Sequence, residues 1–111
     1  MNSKWVNFDE AIAERCAKDP EFRDHWERTA LARAVATAVI GYRAEHGLSQ
    51  RAFARQLGMP SSQIARLELG EQNPSIDNLQ RLAKGLGSRF IVAVAPDQAT
   101  ELTLSPQSTS R

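Results

Sequence analysis

Several features that are common in proteins are scarce or missing in this 111-residue chain. A single cysteine, Cys16, excludes a disulfide within the chain, and we expect a reduced, cytoplasmic protein. No apolar run approaches the roughly 20 residues of a membrane-spanning helix, and the polar, charged N-terminus lacks the pattern of a signal peptide. With 14 lysine and arginine residues against 13 acidic ones, the net charge is only +1. Composition alone therefore does not indicate a polyanionic partner.

Residue patterns that support catalysis or metal binding are missing as well. His25, His46 and Cys16 lack the close spacing of a metal site, and we expect neither a metal nor another cofactor. The serines match neither a nucleophile elbow nor a phosphate-binding glycine loop. A chain this short can bury one core, but hardly a concave catalytic cleft as well. The sequence therefore predicts that the protein is not an enzyme.

The charges that are present are unevenly distributed. Residues 1–30 carry five basic and seven acidic side chains, whereas residues 41–91 carry seven basic and four acidic ones. The N-terminal part is therefore acidic, and the positive part coincides with the most specific motif of the chain.

That motif, LSQRAFARQLGMPSSQIARLELG at residues 48–70, predicts two short helices joined by a tight turn. The first helix begins at Ser49, whose hydroxyl can cap it. Its apolar face consists of Phe53, Ala54 and Leu57. Gly58 follows directly, and because glycine reaches a positive φ without steric cost, the chain can reverse there.

The second helix of the motif is predicted to start at Ser61, which can cap it. Ile64 and Leu67 lie three residues apart and face inward. The outward side chains are Ser62, Gln63 and Arg66. Ala54 is small at the point where the helices cross, which allows the steep crossing angle of a helix-turn-helix unit. Such a unit can place one helix in the major groove of DNA.

On these residues the sequence resembles the helix-turn-helix domain of the Cro and phage-repressor type, the Xre family, from about residue 31 to residue 87. The positions that carry the resemblance are Arg43, Leu48, Ser49, Gln50, Ala54, Leu57, Gly58, Ile64, Leu67, Glu68, Gly70, Pro74 and Leu79. It implies that the helix from Ser61 is the recognition helix and that Gln50 contacts DNA. It also implies a partly buried salt bridge between Arg43 and Glu68.

Groove chemistry then predicts the DNA contacts. Arg66 can donate two hydrogen bonds to guanine, and short polar side chains on the same helix can reach bases or phosphates. The predicted DNA-binding residues are Gln50, Arg51, Ser61, Ser62, Gln63, Arg66 and Asn73, of which Gln50, Arg51 and Asn73 are expected on phosphates. The alternative for Arg51, Arg55 and Arg66 is plain solvent-exposed surface, and for Ser61 a capping role alone.

Two helices are predicted before the motif. The first begins with a capping pair, Asn7 and Glu10, and ends near Asp19. Its apolar face consists of Phe8, Ile12 and Cys16. Asp19 can then cap the second helix, with Pro20 at its first position, where a missing N–H costs nothing.

The second helix carries two apolar stripes. One consists of Phe22 and Trp26, and the other of Leu31, Val35, Val39 and Tyr42. The stripes are about 140° apart if one continuous helix is assumed. The helix either breaks near Thr29 or is long and packs against two different partners. Because no Gly or Pro interrupts residues 21–40, we predict the long helix, which ends at Gly47.

After the motif, Ser75 is predicted to cap a helix that closes the core and ends at Gly85 and Gly87. Its apolar residues are Ile76, Leu79, Leu82, Ala83 and Leu86.

Residues 89–95, RFIVAVA, alternate with a period of two and predict a strand. The residues on one side are Phe90, Val92 and Val94. Because a lone strand cannot satisfy its own backbone groups, we expect antiparallel pairing with the same segment of a second copy, which gives a homodimer. The alternatives are the sheet edge of another protein and an irregular extension that folds back on the domain. The polar residues 96–111 are predicted to be disordered.

The predicted fold is therefore mainly α-helical, a lambda-repressor-like helix-turn-helix bundle with an N-terminal helical extension and a short C-terminal β-strand. The chain is predicted to divide into an N-terminal helical arm (1–30), the helix-turn-helix domain (31–87), a dimerisation strand (88–95) and a tail (96–111).

Small proteins of this family with an added N-terminal helix and a C-terminal strand resemble antitoxins of the HigA type, which repress their own operon and bind a RelE-like ribonuclease toxin. The resemblance implies two partners, a palindromic double-stranded DNA operator and a small basic RelE/HigB-like toxin. The acidic helices before Ala30 would suit a basic toxin by charge complementarity. It also implies a bacterial protein associated with the nucleoid. Two alternatives stay open, a stand-alone Xre-type regulator and a protein-interaction adaptor on the same fold.

Overall fold

The computed structural model describes residues 8–106, which form six helices followed by a two-stranded antiparallel sheet. The helices are α1 (Phe8–Lys18), α2 (Pro20–Arg28), α3 (Ala30–His46), α4 (Gln50–Leu57), α5 (Ser61–Leu69) and α6 (Ile76–Leu86). The strands are β1 (Ser88–Ala95) and β2 (Gln98–Pro106). The mainly helical, repressor-like fold with an N-terminal helical extension is confirmed. The predicted cap at Asn7 lies outside the described residues.

Local signals place most helix ends where the sequence predicts them. Asp19, Ser49 and Ser75 each cap a helix, since a side-chain oxygen accepts a backbone N–H at 3.0–3.1 Å. Four helices end at a glycine in the left-handed conformation, namely Gly47, Gly58, Gly70 and Gly87. The prediction that α6 also ends at Gly85 is wrong. Gly85 lies inside α6, where an added Cβ would collide with the side chain of Leu57.

The predicted cap at Ser61 is wrong. Pro60 is the N-cap of α5, with φ −65° and ψ 144°, and Ser61 is the first helical residue. The carbonyl oxygen of Pro60 accepts the N–H of Gln63 at 2.9 Å. The proline ring fixes φ at the value that this position needs, so the turn is set one residue earlier than the serine pattern indicates.

The predicted long helix is wrong, because the chain breaks between α2 and α3 at Thr29 (φ −103°, ψ 15°). The side chain of Asn73, from the loop after α5, inserts at the break. Its Oδ1 accepts the N–H of Ala32 at 2.9 Å, and its Nδ2 donates to the carbonyl oxygen of Arg28 at 2.9 Å. A distant side chain thus replaces local helix bonds, and the two apolar stripes pack separately.

The hydrophobic core lies between α3, α4, α5 and α6. Its buried members are Leu31, Val35, Val39, Phe53, Ala54, Met59, Ile64, Leu67, Leu79 and Leu82. This confirms the predicted inward faces, with Tyr42, Leu57 and Leu86 packed at the margin. Ile76 is an exception, because it is 71% exposed and lines an open groove beside Phe90 and Val92 of β1. It is the first residue of α6, and the helix buries only its later turns.

The C-terminal residues form a hairpin, which contradicts the prediction of a lone strand followed by a disordered tail and leaves the homodimer untested. β1 pairs antiparallel with β2 of the same chain, in a register that places Phe90 opposite Leu104 and Val92 opposite Leu102. Residues 98–106 are therefore a strand rather than a disordered tail. Phe90 and Leu102 pack against the core. The missed signal is the alternation in residues 100–104, TELTL, in which threonine has high β propensity despite its polarity.

The N-terminal arm packs by surface contacts alone, and neither α1 nor α2 has a buried residue. The rings of Phe22 and Trp26 stack with centroids 5.8 Å apart. The guanidinium of Arg33, on α3, lies 3.4 Å from the ring centroid of Trp26 and donates through Nη2 to the Trp26 carbonyl oxygen at 2.7 Å. Burial in this contact lowers the pKa of Arg33. None of the described helices is both long and apolar enough to span a bilayer.

Candidate nucleic-acid interface

The candidate interface is built on the turn between α4 and α5. Gly58 has φ +68°, a conformation that L side chains rarely adopt, and the N–H of Met59 bonds to the carbonyl oxygen of Ala54 at 3.0 Å. Ala54 is 2% exposed and Ile64 is fully buried, so the small side chain lets the helices approach closely. A buried contact of this kind fixes the angle between the two helices.

The outward face of α5 carries polar side chains at its N-terminal half. Ser61, Ser62 and Arg66 are exposed, and Gln63 is partly exposed. Within residues 8–106, the side chains of Arg66 and of Arg51 on α4 form no hydrogen bond or ion pair. Among the described residues, Arg51 and Arg66 therefore have no partner, as is also true of Arg55 on α4, and they are free to bind an anion or a base edge.

An ion pair beneath this face links α3 to α5. Arg43 donates to Glu68 twice, from Nε to Oε2 at 2.6 Å and from Nη2 to Oε1 at 2.9 Å. The side chains are 21% and 9% exposed, respectively. The hydrogen bonds from Arg43 lower the pKa of Glu68, and those to Glu68 raise the pKa of Arg43. The salt bridge implied by the family resemblance is therefore present.

The structure brings some of the predicted DNA-contact residues together and separates another. Gln50, Ser62 and Arg66 line one shallow depression on the motif. Asn73 lies elsewhere, and its amide is bonded to the backbone at the α2–α3 junction. The structure thus gives Asn73 a structural role, while its phosphate contact stays an untested prediction.

Two apolar side chains at the same depression were missed by sequence reasoning. Ile40 and Leu69 are 44% and 65% exposed and border it beside Ala65. The signal for Leu69 was its position outside the inward stripe of Ile64 and Leu67. Exposed apolar groups beside polar ones suit the edge of a DNA groove, where thymine presents a methyl group.

Two crossed helices with a polar, partly cationic outer face define the class of helix-turn-helix DNA-binding proteins. Residues 41–91 match the helix-turn-helix family model HTH_3. An uncharacterized HTH-type transcriptional regulator of Haemophilus influenzae is 30% identical over 92 residues, which cover 83% of this chain and 86% of that protein. The chain belongs to this Xre-type helix-turn-helix family of transcriptional regulators.

A second relative carries a more specific name. Antitoxin HigA1 of Mycobacterium tuberculosis is 33% identical over 79 residues, which cover 71% of this chain. The match spans 53% of the antitoxin, so the chain corresponds to about half of that relative. Among solved structures, an HTH_3 family transcriptional regulator from Vibrio cholerae has a TM-score of 0.49 and 29% identity, covering 52% of this chain and 33% of that one.

Proposed function

We propose that the protein is a sequence-specific DNA-binding repressor and the antitoxin of a type II toxin–antitoxin pair, which represses its own operon and neutralises a RelE/HigB-like toxin. The observation that carries the DNA-binding part is the exposed N-terminal half of α5, where Arg66 has no partner among residues 8–106. The similarity to a HigA antitoxin supports the second part.

In the proposed mechanism, α5 enters the major groove with its N-terminal turn first. Arg66 donates to a guanine edge, and the hydroxyls of Ser61 and Ser62 reach bases or phosphates at shorter range, with Gln63 beside them. Arg51 on α4 binds the phosphate backbone and sets the position of the domain. The free N–H groups of the first turn of α5 favour the same anion.

A homodimer would let the protein read both halves of a palindromic operator, since two half-sites lie about one helical turn apart. We propose that β1 provides the contact through Phe90, Val92 and Val94. Phe90 also packs on its own core, whereas Val94 is 78% exposed. Pairing with β2 occupies one edge of β1, and the other edge is available for a second copy.

The arm of α1 and α2 is the proposed site for the toxin. It contains no buried residue, and acidic side chains such as Glu10 and Glu21 are exposed on it. A basic ribonuclease would be attracted to this surface by charge complementarity.

Copurification with the product of the neighbouring gene, followed by footprinting of the shared promoter, tests both parts. We expect a small basic protein to copurify and the wild-type chain to protect a palindrome. The double variant Glu10→Lys, Glu21→Lys should lose the partner and keep the footprint. The matched control, Glu45→Lys with Glu71→Lys, reverses two exposed charges on the helix-turn-helix domain and should keep the partner. Full capture by the arm variant would refute the placement of the toxin site.

A stand-alone regulator is the second candidate, because the Haemophilus influenzae relative is matched over 86% of its length. A clear footprint without any copurifying protein would favour it. A flat response to all promoter fragments at low salt would instead favour an adaptor that binds proteins only.

A further inference from the structure

The junction between α2 and α3 differs from a continuous helix by a single turn. The N–H of Thr29 bonds to the carbonyl oxygen of His25 at 3.1 Å, and the N–H of Arg33 bonds to the carbonyl oxygen of Thr29 at 3.1 Å. Both bonds join residues four apart, as in an α-helix. Helical bonding therefore continues on each side of Thr29, whose own ψ of 15° is not helical.

Asn73 separates the two groups that would close this turn. In a continuous helix, the N–H of Ala32 donates to the carbonyl oxygen of Arg28, four residues earlier. In the structure, Oδ1 of Asn73 accepts that N–H and Nδ2 of Asn73 donates to that carbonyl oxygen, both at 2.9 Å. A carboxamide can serve both groups because it carries an acceptor and a donor. The direct helix bond and the two Asn73 bonds are therefore alternatives.

Arg33 engages a second acceptor of the same turn. Its Nη2 donates to the carbonyl oxygen of Trp26, and its Nη1 donates to Oγ1 of Thr29, both at 2.7 Å. The Trp26 carbonyl is the acceptor that Ala30 would use in a continuous helix. Two side chains thus stabilise the bend, while residues 21–40 contain no Gly or Pro that would prevent a continuous helix.

Straightening this junction would change the face that the arm presents. Around a continuous helix, the stripe of Phe22 and Trp26 lies about 140° from the stripe of Leu31 and Val35, which enters the core. In the bent form α2 packs against α3 and β2, and Phe22 and Trp26 are partly buried. In a continuous helix this apolar stripe would turn away from the domain.

We propose that the α2–α3 junction is a hinge with two states and that Asn73 is its latch. In the bent state, which predominates in the free protein, the arm lies against the hairpin. In the continuous state Ala32 bonds directly to Arg28, Asn73 is released, and Phe22 and Trp26 are uncovered. The toxin binds this uncovered stripe and so draws the arm into the continuous state. This last step rests on the proposed antitoxin function, whereas the hinge itself does not.

Spin labels on the full chain measure the hinge without any partner. Glu21→Cys on α2 and Asp97→Cys in the hairpin turn place both labels at exposed positions, and Cys16→Ser removes the native thiol. Double electron–electron resonance should give one short distance for this parent chain, because the arm lies against the hairpin.

Removal of the latch should add a second, longer distance. Thr29→Ala with Asn73→Ala deletes the Asn73 bonds and raises helix propensity at the hinge. Backbone ¹³C chemical shifts of residues 28–32 should become helical in the same variant. The matched control, Gln72→Ala, removes an exposed amide from the same loop and should keep the short distance alone. A single short distance in the latch variant, or a longer distance without helical shifts, would overturn the hinge.

A matched pair of substitutions tests whether helix formation drives the change. Thr29→Ala and Thr29→Gly delete the same hydroxyl, but glycine disfavours a helix interior. In the Asn73→Ala background, the ratio of long to short distance should be about fivefold higher with alanine than with glycine. Equal ratios would show that the arm detaches without forming a continuous helix, which also contradicts the hinge.

The toxin step has a separate readout. When a small basic protein copurifies with the labelled chain, the complex should show the long distance. A short distance in that complex would overturn this step. If no protein copurifies, the proposed antitoxin function fails together with this step, and the distances in the free protein still decide the hinge.

Discussion

The helical arm and the helix-turn-helix domain are built differently, although both consist of short amphipathic helices. All buried residues of the described chain lie between Leu31 and Leu82, and none lies in α1 or α2. The domain is held by a shared apolar core, whereas the arm is attached through the contacts of Arg33 with Trp26 and the bond from Asn73 to the carbonyl oxygen of Arg28. We therefore expect substitutions in the domain to cost more stability than substitutions in the arm. We also expect the domain to have the higher free energy of unfolding.

The largest contrast should come from equivalent truncations in the two regions. Phe53 is fully buried, so Phe53→Ala should lower the free energy of unfolding by about 4 kcal/mol. Phe22 is partly buried on the arm, and Phe22→Ala should cost about 1 kcal/mol. Urea denaturation followed by circular dichroism measures both, with Ile64→Val as a milder core variant. Equal losses would mean that the arm belongs to the same cooperative core.

The Arg43–Glu68 pair should give the next largest effect. Glu68→Ala leaves Arg43 without its partner and should cost about 3 kcal/mol. Because the folded-state pKa of Glu68 lies below its ordinary value of 4.5, the stabilisation is present above that pH and is lost as the pH falls through the folded-state pKa.

Denaturation at a series of pH values tests whether stability falls in acid, as this pKa shift predicts. Glu68→Gln should flatten the acid limb of the stability curve, whereas Glu71→Gln, at an exposed position, should leave it unchanged. A wild-type protein that becomes more stable below pH 4 would contradict the direction of the pKa shift.

DNA affinity provides a third comparison between the regions. Arg66→Ala should weaken operator binding by about 2 kcal/mol and relax preference at one position. Arg23→Ala removes the same charge from the arm and should change affinity by less than about 0.5 kcal/mol. Fluorescence anisotropy at two salt concentrations measures both variants. An unchanged affinity for Arg66→Ala would remove this residue from the interface.

The smallest expected effect concerns the Asn73 contact between the arm and the domain. Asn73→Ala removes the side chain that bonds to both α2 and α3, and should lower global stability by about 1 kcal/mol. Hydrogen exchange should accelerate most at the α2–α3 junction, around Ala32. If operator affinity falls while exchange there is unchanged, Asn73 acts on phosphate, as the sequence predicts.

Local signals predicted the domain well and long-range contacts poorly. Ser49, Ser75 and Gly58 act on neighbours in the chain, so their positions could be read directly. The break at Thr29 depends on Asn73, which is more than forty residues away, and no local pattern reports such a partner. The second strand was missed for a different reason, since the alternation of residues 100–104 is a local signal that the polar composition of this segment hid.

The candidate site shows the same division. Exposure of Ser62 and Arg66 followed from helical periodicity, whereas the bond between Gln50 and Glu68 joins residues on different helices. Family resemblance supplied the Arg43–Glu68 pair. It did not indicate that the pair also constrains a neighbouring amide.

The Asn73 attachment has a mechanical consequence. The loop that follows the recognition helix is bonded to the junction between the arm and the domain, so displacing α2 while the junction stays bent breaks the bond from Asn73 to Arg28 and leaves the bond between Asn73 and Ala32 of α3. Thermodynamic reciprocity then requires that a ligand which holds the loop still makes the arm harder to displace. A ligand bound at the loop after α5 would therefore reduce the motion of α2.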